Sequence, residues 1–243
     1  MRSGSTLQYQ ITARLVEEAG LGKRLDWAEP EEFPLIREQL KRDDSSWKVF
    51  KAHTCTDEMI EEFEQNNAMG VYIYRDLRDV VVSHMTKASM DLDTVFKSGF
   101  VEACLEHYQR WVQLPRLLVS QYELVVDDIA GEVNRISNHL GITLESDKIQ
   151  EIANDFSIEN QKARIQEFVD MKQIGRHRVD PHSLLHSNHI SSGKVGRWRE
   201  ELNQKEVWQI EKKAGSWLAE HSYPLSEPPT ALQRFYRALA LNK

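Results

Sequence analysis

A buried strand in the middle of the chain indicates the class of fold. The segment MGVYIYR, residues 69–75, is a near-continuous apolar run of the kind that is buried on both faces of a parallel sheet. WKVFKAH at 47–53 and RLLVSQY at 116–122 are two further strand candidates. A chain with several such strands needs helices to cover the two faces of the sheet.

Apolar residues at helical spacing predict those helices. Their expected ranges are 6–19, 30–41, 57–66, 77–89, 93–113, 123–140, 145–155, 158–170, 204–221 and 228–243. The alternation of strands and helices predicts an α/β fold, a single three-layer domain over residues 1–243 with a parallel sheet flanked by helices. Residues 172–197 lack helical periodicity and are predicted to form a long, lid-like loop.

Composition excludes several classes of protein. The net charge of −7 argues against a general nucleic-acid binder, which needs a basic face. No run of 18 apolar residues is present to span a membrane, and the first residues do not form a signal peptide. Cys55 and Cys104 are too few for a disulfide framework and match no zinc spacing, which predicts a cytoplasmic protein.

A turn rich in glycine and hydroxyl groups, RSGST at residues 2–6, precedes the first predicted helix. Gly4 permits a tight turn, and backbone amides at a helix N-terminus can bind a phosphate together with hydroxyl donors. An ordinary helix N-cap has the same pattern. The loop G-x-x-x-x-G-K-[ST] of nucleotide triphosphatases is absent, so that class of site is not predicted.

The segment YRDLRDVVVS, residues 74–83, is a second candidate anion site. Arg75 ends a predicted strand, where open α/β sheets bind ligands, and Ser83 follows two turns into the next helix. A guanidinium fork and a hydroxyl suit a phosphate monoester. Asp76 and Asp79 resemble a capping box, and ion pairs between these acids and neighbouring arginines are the alternative interpretation.

Lys51 and His53 stand at the end of another predicted strand and alternate to the same face of an extended chain. An imidazole there can accept a proton near neutral pH, although a core or surface histidine is the alternative. A later histidine-rich segment includes the pair His182 and His186, spaced as zinc ligands on a helix. Pro181 argues against a rigid helix there, and no metal site is predicted.

Four motifs in this order resemble those of sulfotransferases that use 3′-phosphoadenosine 5′-phosphosulfate (PAPS). They are R-S-G-S-T, K-A-H, R-D-L-R-D-V-V-V-S and the late G-x-x-G-x-W of SSGKVGRWREEL at 191–202. The resemblance extends from residue 1 to about residue 202 and implies a P-loop-like architecture. It also implies sulfuryl transfer from PAPS to a hydroxyl acceptor, a small molecule or a glycan, without a metal.

The resemblance assigns roles to single residues. The 5′-phosphosulfate would be bound by Arg2, Ser3, Gly4, Ser5, Thr6 and Leu7. The 3′-phosphate would be bound by Arg75 and Ser83, with Tyr122 near the adenine. The late loop that closes over the nucleotide would contribute Gly193, Lys194 and Gly196. The catalytic groups would be His53 as general base, Lys51, and Arg2 in place of the lysine of many cytosolic members.

The chain departs from the family pattern in two places. Ser191 and Ser192 stand where members often carry Arg-Lys, which leaves Lys194 or Arg197 as the substitute cation for the 3′-phosphate. The family also places a buried strand directly before residues 2–6, and no such strand is expected here. One hypothesis is that the coding frame continues upstream with an apolar run of about six residues. The other is a sheet that lacks its first strand.

Two other functions remain open from the sequence. One is a non-catalytic nucleotide-binding or interaction protein derived from the same family, and the other is a kinase-like phosphotransferase. The retained Lys51 and His53 argue against the first, and the absent P-loop lysine argues against the second. The acceptor would be selected by residues 20–45, 85–100 and 172–192, which carry no readable motif.

Overall fold

A computed structural model describes most of the chain and divides it into two compact units. The described residues are 2–42, 46–170, 183–185 and 193–226. The sheet unit comprises Ser3–Tyr74 and Arg110–Gly193. The helical unit comprises Met1–Arg2, Arg75–Gln109 and Lys194–Lys243. All strands of the described residues belong to the sheet unit.

The strands of the sheet unit form two parallel pairs. Their bounds are β1 Gly22–Trp27, β2 Trp47–Lys51, β3 Gly70–Tyr74 and β4 Leu117–Gln121. β1 pairs with β2, starting from Gly22 opposite Trp47, and β3 pairs with β4, starting from Gly70 opposite Leu117. No strand of the described residues pairs with both β2 and β3.

The helices alternate with the strands, which confirms the predicted α/β fold. In chain order they are α1 Ser5–Glu18, α2 Phe33–Arg42, α3 Asp57–Glu64, α4 Leu77–Ala88, α5 Leu92–Lys97, α6 Phe100–Val112, α7 Tyr122–Asp127, α8 Ile129–His139, α9 Ser146–Asp155, α10 Ile158–Asp170, α11 Trp198–Glu201 and α12 Gln204–Glu220. The helical unit contains α4, α5, α11, α12 and most of α6, and the other helices belong to the sheet unit.

Helix α1 holds the two strand pairs together in the sheet unit. It packs against both β2 and β3, and its buried Ile11, Leu15 and Val16 form a core cluster with residues of α8 and α9. Val49 of β2 and Val71 of β3 pack against the same cluster. Because the two strand pairs share no ladder in the described residues, the apolar face of α1 provides a contact common to both.

Strand β3 is less enclosed than the sequence predicts. Ile73 is 4% exposed, but Val71, Tyr72 and Tyr74 are only half-buried. Burial on both faces was therefore wrong for most of the strand. β3 has β4 as its one strand neighbour in the described residues, so part of its surface toward the other edge stays accessible.

The predicted helices differ from the observed ones at two breaks. The range 93–113 is divided because Gly99 adopts a left-handed φ of 72° between α5 and α6. The range 123–140 is divided at Asp128, whose side chain caps α8 by accepting a hydrogen bond from the Gly131 amide at 2.8 Å. Both breaks fall inside apolar patterns that continue across them.

Strand β1 and helix α11 were not expected from the sequence. The segment GKRLDW of β1 is rich in charged residues and only partly buried, so it lacks the apolar run of a central strand. The short α11 falls at the end of the late glycine motif. No helix of the described residues is long and apolar enough to span a membrane.

Several sequence-based predictions lie outside the described residues. They concern the helix at 228–243, most of the lid-like loop at 172–197, and the residues Ser191, Ser192, His182 and His186.

Replacing Ile11 by alanine should lower the free energy of unfolding by about 2–5 kcal/mol, because the residue is fully buried where α1 meets both strand pairs. Chemical denaturation measures the change. Leu35→Ala is the matched control, since Leu35 on α2 is 73% exposed and its loss should change stability by less than about 0.5 kcal/mol. Similar losses in the two variants would contradict the position of α1.

Candidate active site

Two predicted anion-binding residues, Arg2 and Ser83, are in contact in the helical unit. The Nε of Arg2 donates a hydrogen bond to Ser83 Oγ at 3.1 Å, and Ser83 is buried on α4. The pKa of Arg2 is lowered from its ordinary value, first by burial and second by the charge of Arg75. The two guanidinium groups therefore repel each other, and an anion bound near them would relieve that repulsion.

Arg75 is held by a carboxylate and a backbone carbonyl. Its Nη2 donates to Asp79 Oδ2 at 3.0 Å and to the carbonyl oxygen of Lys194 at 2.8 Å. Arg75 is 8% exposed, so its guanidinium is fixed at the point where β3 has ended. The late glycine motif thus contributes a backbone oxygen to the orientation of this arginine.

The same carboxylate also fixes the late glycine motif. Asp79 Oδ2 accepts a hydrogen bond from the Gly196 amide at 2.7 Å, and its Oδ1 accepts one from the Trp198 amide at 2.9 Å. Asp79 is 2% exposed, and a buried carboxylate requires such donors. Gly196 has a left-handed φ of 74°, which favours glycine at this turn.

The expected capping box at the start of α4 is not formed. Asp76 caps the helix by accepting a hydrogen bond from the Arg78 amide at 3.0 Å. The Asp79 carboxylate binds the Gly196 amide of the late glycine motif and not the backbone of the cap residue. Arg78 is completely buried, pairs with Asp76 and Glu211, and stacks its guanidinium on Trp198 at 3.9 Å. Ion pairing with acids is therefore confirmed for Arg78, and also for Arg75 through Asp79.

The two suggested substitute cations of the late motif are both paired with acids. Lys194 forms an ion pair with Glu200, and Arg197 forms one with Glu201. The Lys194 side chain is 54% exposed, and its backbone carbonyl is the group that meets Arg75. This pairing does not favour either side chain as a replacement for the Arg-Lys pair of other family members.

In the sheet unit, the turn before α1 is packed against an aromatic ring. Gly4 has a φ of 92°, and a Cβ at this position would lie 2.8 Å from Cδ2 of Tyr122. The Tyr122 hydroxyl donates to the Gly193 carbonyl at 3.2 Å. Tyr122 therefore connects the predicted phosphate loop with the first glycine of the late motif. Sequence reasoning alone had placed these three residues in separate motifs.

A buried lysine reaches the same turn. Lys51 Nζ donates to Thr6 Oγ1 at 2.6 Å, and both residues are buried, with exposed fractions of 9% and 3%. The ammonium also lies 5.2 Å from the ring centre of Trp27, a cation–π contact. The structure thus brings the lysine at the end of β2 to the hydroxyl-rich turn.

His53 lies two residues beyond β2, beside the same tryptophan. Its ring meets Trp27 edge to face at a centroid distance of 4.2 Å, and its carbonyl accepts a hydrogen bond from Trp111 Nε1 at 2.9 Å. Sequence reasoning missed Trp27 because it missed β1. Trp27 is in register with Lys51 across the β1–β2 ladder, so strand pairing places it there.

The remaining residues of the turn have different surroundings. Leu7 packs with Ile73 and Tyr122 in a small apolar cluster, so its side chain anchors α1 in the core. Ser3 is buried and Ser5 is half-buried at the start of α1. Of the first amides of α1, that of Leu7 donates to the Gly4 carbonyl at 2.9 Å. The amides that begin an α-helix lack an acceptor one turn earlier, and this favours an anion at the start of the turn.

Among the described residues, no group of three or more His, Cys, Asp or Glu side chains is arranged to hold a metal ion. Cys55 and Cys104 are free thiols.

A model of the sulfotransferase domain matches residues 2–221 of the chain. The protein therefore belongs to the sulfotransferase domain family, which confirms the resemblance carried by the motifs. A comparison with curated protein sequences finds no match.

Solved structures of sulfotransferase-like enzymes have the same fold. Retinol dehydratase in complex with androsterone and the inactive cofactor PAP is 21% identical, with a TM-score of 0.63 over 95% of this chain and 81% of that one. A complex of retinol dehydratase with retinol and PAP gives the same TM-score and identity, over 94% of this chain and 81% of that one. Mouse sulfotransferase SULT7A1 complexed with PAP is 16% identical, with a TM-score of 0.65 over 99% of this chain and 86% of that one.

Gly4→Ala should destabilise the protein by about 1–3 kcal/mol more than Gly20→Ala, because only the Cβ at residue 4 would overlap a ring. Gly20 is a matched control, since its φ of 68° is also left-handed and nothing lies within 4 Å of its Cβ position. Chemical denaturation of both variants measures the difference. Adding Tyr122→Leu to Gly4→Ala should recover part of the loss, and equal losses in the single variants would refute the contact.

Proposed function

We propose that this protein is a PAPS-dependent sulfotransferase that transfers a sulfuryl group to the hydroxyl of an acceptor. The observation that carries the proposal is the contact of Arg2 with Ser83 in the helical unit, where the charge of the nearby Arg75 also lowers the pKa of Arg2. Family membership supports sulfuryl transfer, and the similar structures contain PAP, the desulfated form of the donor.

Different groups of residues are proposed to bind the 3′-phosphate and the 5′-phosphosulfate of the donor. Arg75 and Ser83 bind the 3′-phosphate, with Asp79 and the carbonyl of Lys194 holding the guanidinium in place. The turn at residues 2–7 binds the 5′-phosphosulfate through backbone amides and hydroxyls. The Tyr122 ring lies near the adenine, and the late motif that includes Gly193 and Gly196 covers the nucleotide. PAPS supplies the sulfuryl group when bound.

The chemistry assigned to the chain is proton transfer and charge stabilisation. His53 accepts the proton of the acceptor hydroxyl, whose oxygen then bonds to sulfur as the bond from sulfur to the bridging oxygen breaks. The electron pair of the broken bond leaves on the 5′-phosphate. Lys51 and Arg2 stabilise the negative charge that develops on the sulfuryl and bridging oxygens. As in phosphoryl transfer, positioning and electrostatics provide most of the catalysis.

A small-molecule hydroxyl compound is the proposed acceptor class. The structures similar to this chain include complexes with retinol and with androsterone, both small molecules that carry a hydroxyl group.

Removal of the Arg75 guanidinium should weaken the binding of PAP much more than that of adenosine 5′-monophosphate, which lacks the 3′-phosphate. The preference for PAP, measured by calorimetry, should fall by about 10- to 100-fold in Arg75→Ala, since hydrogen bonds to charged groups contribute about 1.5–3 kcal/mol. Ser83→Ala should show a smaller loss in the same direction. Absence of PAP binding by the unchanged protein, or a preference that survives in Arg75→Ala, would contradict this site.

His53→Ala should lower the turnover number for sulfuryl transfer by about 10²- to 10⁴-fold, because it removes the general base, and should leave the affinity for PAP unchanged. Transfer of label from radiolabelled PAPS to a phenol measures turnover. His139→Ala, at the end of α8 in the same unit, is the control and should keep full activity. Equal rates for His53→Ala and the unchanged protein would exclude His53 as the base. PAP binding without any turnover would support the non-catalytic alternative.

A further inference from the structure

Two tryptophans of the sheet unit contact His53. Trp111, in the last turn of α6, donates a hydrogen bond from Nε1 to the His53 carbonyl at 2.9 Å. Trp27, at the end of β1, meets the His53 ring edge to face at a centroid distance of 4.2 Å. One tryptophan therefore holds the backbone of this residue, and the other holds its side chain.

Other aromatic residues hold Trp111 in turn. Its ring stacks with Tyr72 of β3 at 6.2 Å between centroids, and it meets Phe63 of α3 edge to face at 6.4 Å. Aromatic pairs at such distances contribute about 0.5–1.5 kcal/mol each beyond the area they bury. Because two elements of the sheet unit fix the ring, its N–H points in a defined direction and binds the His53 carbonyl at a defined place.

An extra residue in β1 places Trp27 beside the end of β2. Arg24 pairs with Val49 in the ladder. The next pair joins Trp27 to Lys51, so three steps along β1 correspond to two along β2. A regular register would set Asp26 opposite Lys51, where its carboxylate could neutralise the ammonium. Bulges re-aim side chains beside active sites, and this one sets an aromatic ring opposite the lysine in place of an acid.

The Trp27 ring contacts both of the catalytic groups proposed for the sheet unit. The Lys51 ammonium lies 5.2 Å from its centre, and the His53 ring lies 4.2 Å from it. An aromatic ring attracts an ammonium and leaves its charge in place, so the lysine keeps its charge for a ligand. The Trp27 Nε1 is buried and has no hydrogen-bond partner in the described part of the chain. The ring of Trp27, and not its donor, therefore makes these contacts.

We propose that Trp27 and Trp111 are positioning residues for sulfuryl transfer. Together they hold the His53 imidazole in one orientation for the acceptor hydroxyl, and Trp27 also holds the Lys51 ammonium. This inference rests on the proposed function and adds to it two residues that lie outside the four sequence motifs. Neither tryptophan exchanges a proton with the acceptor. A fixed orientation matters because displacement of a reacting group by about 1 Å lowers a rate by up to about 10²-fold.

The experiment compares phenol and 4-nitrophenol as acceptors for radiolabelled PAPS at about pH 8. The hydroxyl of phenol, like that of tyrosine, stays protonated there and needs a base, whereas 4-nitrophenol is largely ionised. The ratio of the two turnover numbers, phenol over 4-nitrophenol, does not depend on how much of a variant is folded. Trp111→Phe and Trp27→Leu should each lower this ratio by about 10-fold, in the same direction as His53→Ala.

Further variants separate the contributions of the two tryptophans. Trp27→Phe keeps a ring at this position and should retain most of the ratio. Trp27→Leu should also slow the transfer to 4-nitrophenol, because the Lys51 ammonium loses its aromatic contact, whereas Trp111→Phe should leave that transfer nearly unchanged. Trp47→Leu is the matched control, since Trp47 begins β2 at the end far from Lys51, and it should keep both turnover numbers.

A purely structural role gives a different result. Loss of packing alone would lower the free energy of unfolding and would reduce the turnover of both phenols by the same factor. An unchanged ratio in Trp27→Leu and Trp111→Phe would therefore overturn the inference, as would an equal fall of the ratio in Trp47→Leu.

The proposed function fails separately from this inference. Its failure would appear as no PAP binding in calorimetry and no transfer to either phenol. If either phenol is not turned over, proton NMR of the His53 ring, assigned with His53→Ala, tests the contact itself. Removal of the neighbouring ring in Trp27→Leu should shift that signal, and an unmoved signal overturns the inference. Turnover with an unchanged ratio rejects the positioning role and leaves the sulfotransferase assignment intact.

Discussion

The buried carboxylate of Asp79 is the interaction on which the helical unit is organised. A charge at 2% exposure is stable only if donors surround it, and its donors are Arg75 and the amides of Gly196 and Trp198. One side chain therefore links the residue that follows a strand to a loop more than one hundred residues later in the chain. The orientation of Arg75, and any phosphate binding by it, depends on this link.

In the sheet unit, the corresponding constraint is the packing of α1. Its apolar face joins two strand pairs that share no ladder in the described residues, and Gly4 is its N-cap while Thr6 lies in its first turn. The Tyr122 ring leaves no room for a Cβ at Gly4. The Thr6 hydroxyl accepts a hydrogen bond from the buried ammonium of Lys51. The same helix that closes the core thus determines where the hydroxyl-rich turn meets the end of β2.

Much of the fold could be predicted because its main signals are local. Helical spacing and apolar runs predicted most helices and three of the strands within a few residues. The errors occurred where a local pattern did not carry the information. Gly99 and Asp128 break helices inside continuous apolar patterns, and β1 is too polar to be recognised before its partner strand is known. Trp27 was missed with β1, so the aromatic neighbour of Lys51 and His53 was missed as well.

The sequence by itself determined the α/β class, the family, and the residue types available to bind an anion, since strand and helix periodicity and short motifs are properties of neighbouring residues. Tertiary structure decided which of those residues meet. It directed Asp79 to the glycine motif instead of the helix cap, buried Arg78 among acids and Trp198, and brought Lys51 to the hydroxyl of Thr6. These contacts depend on the packing of segments far apart in the chain, which local patterns do not encode.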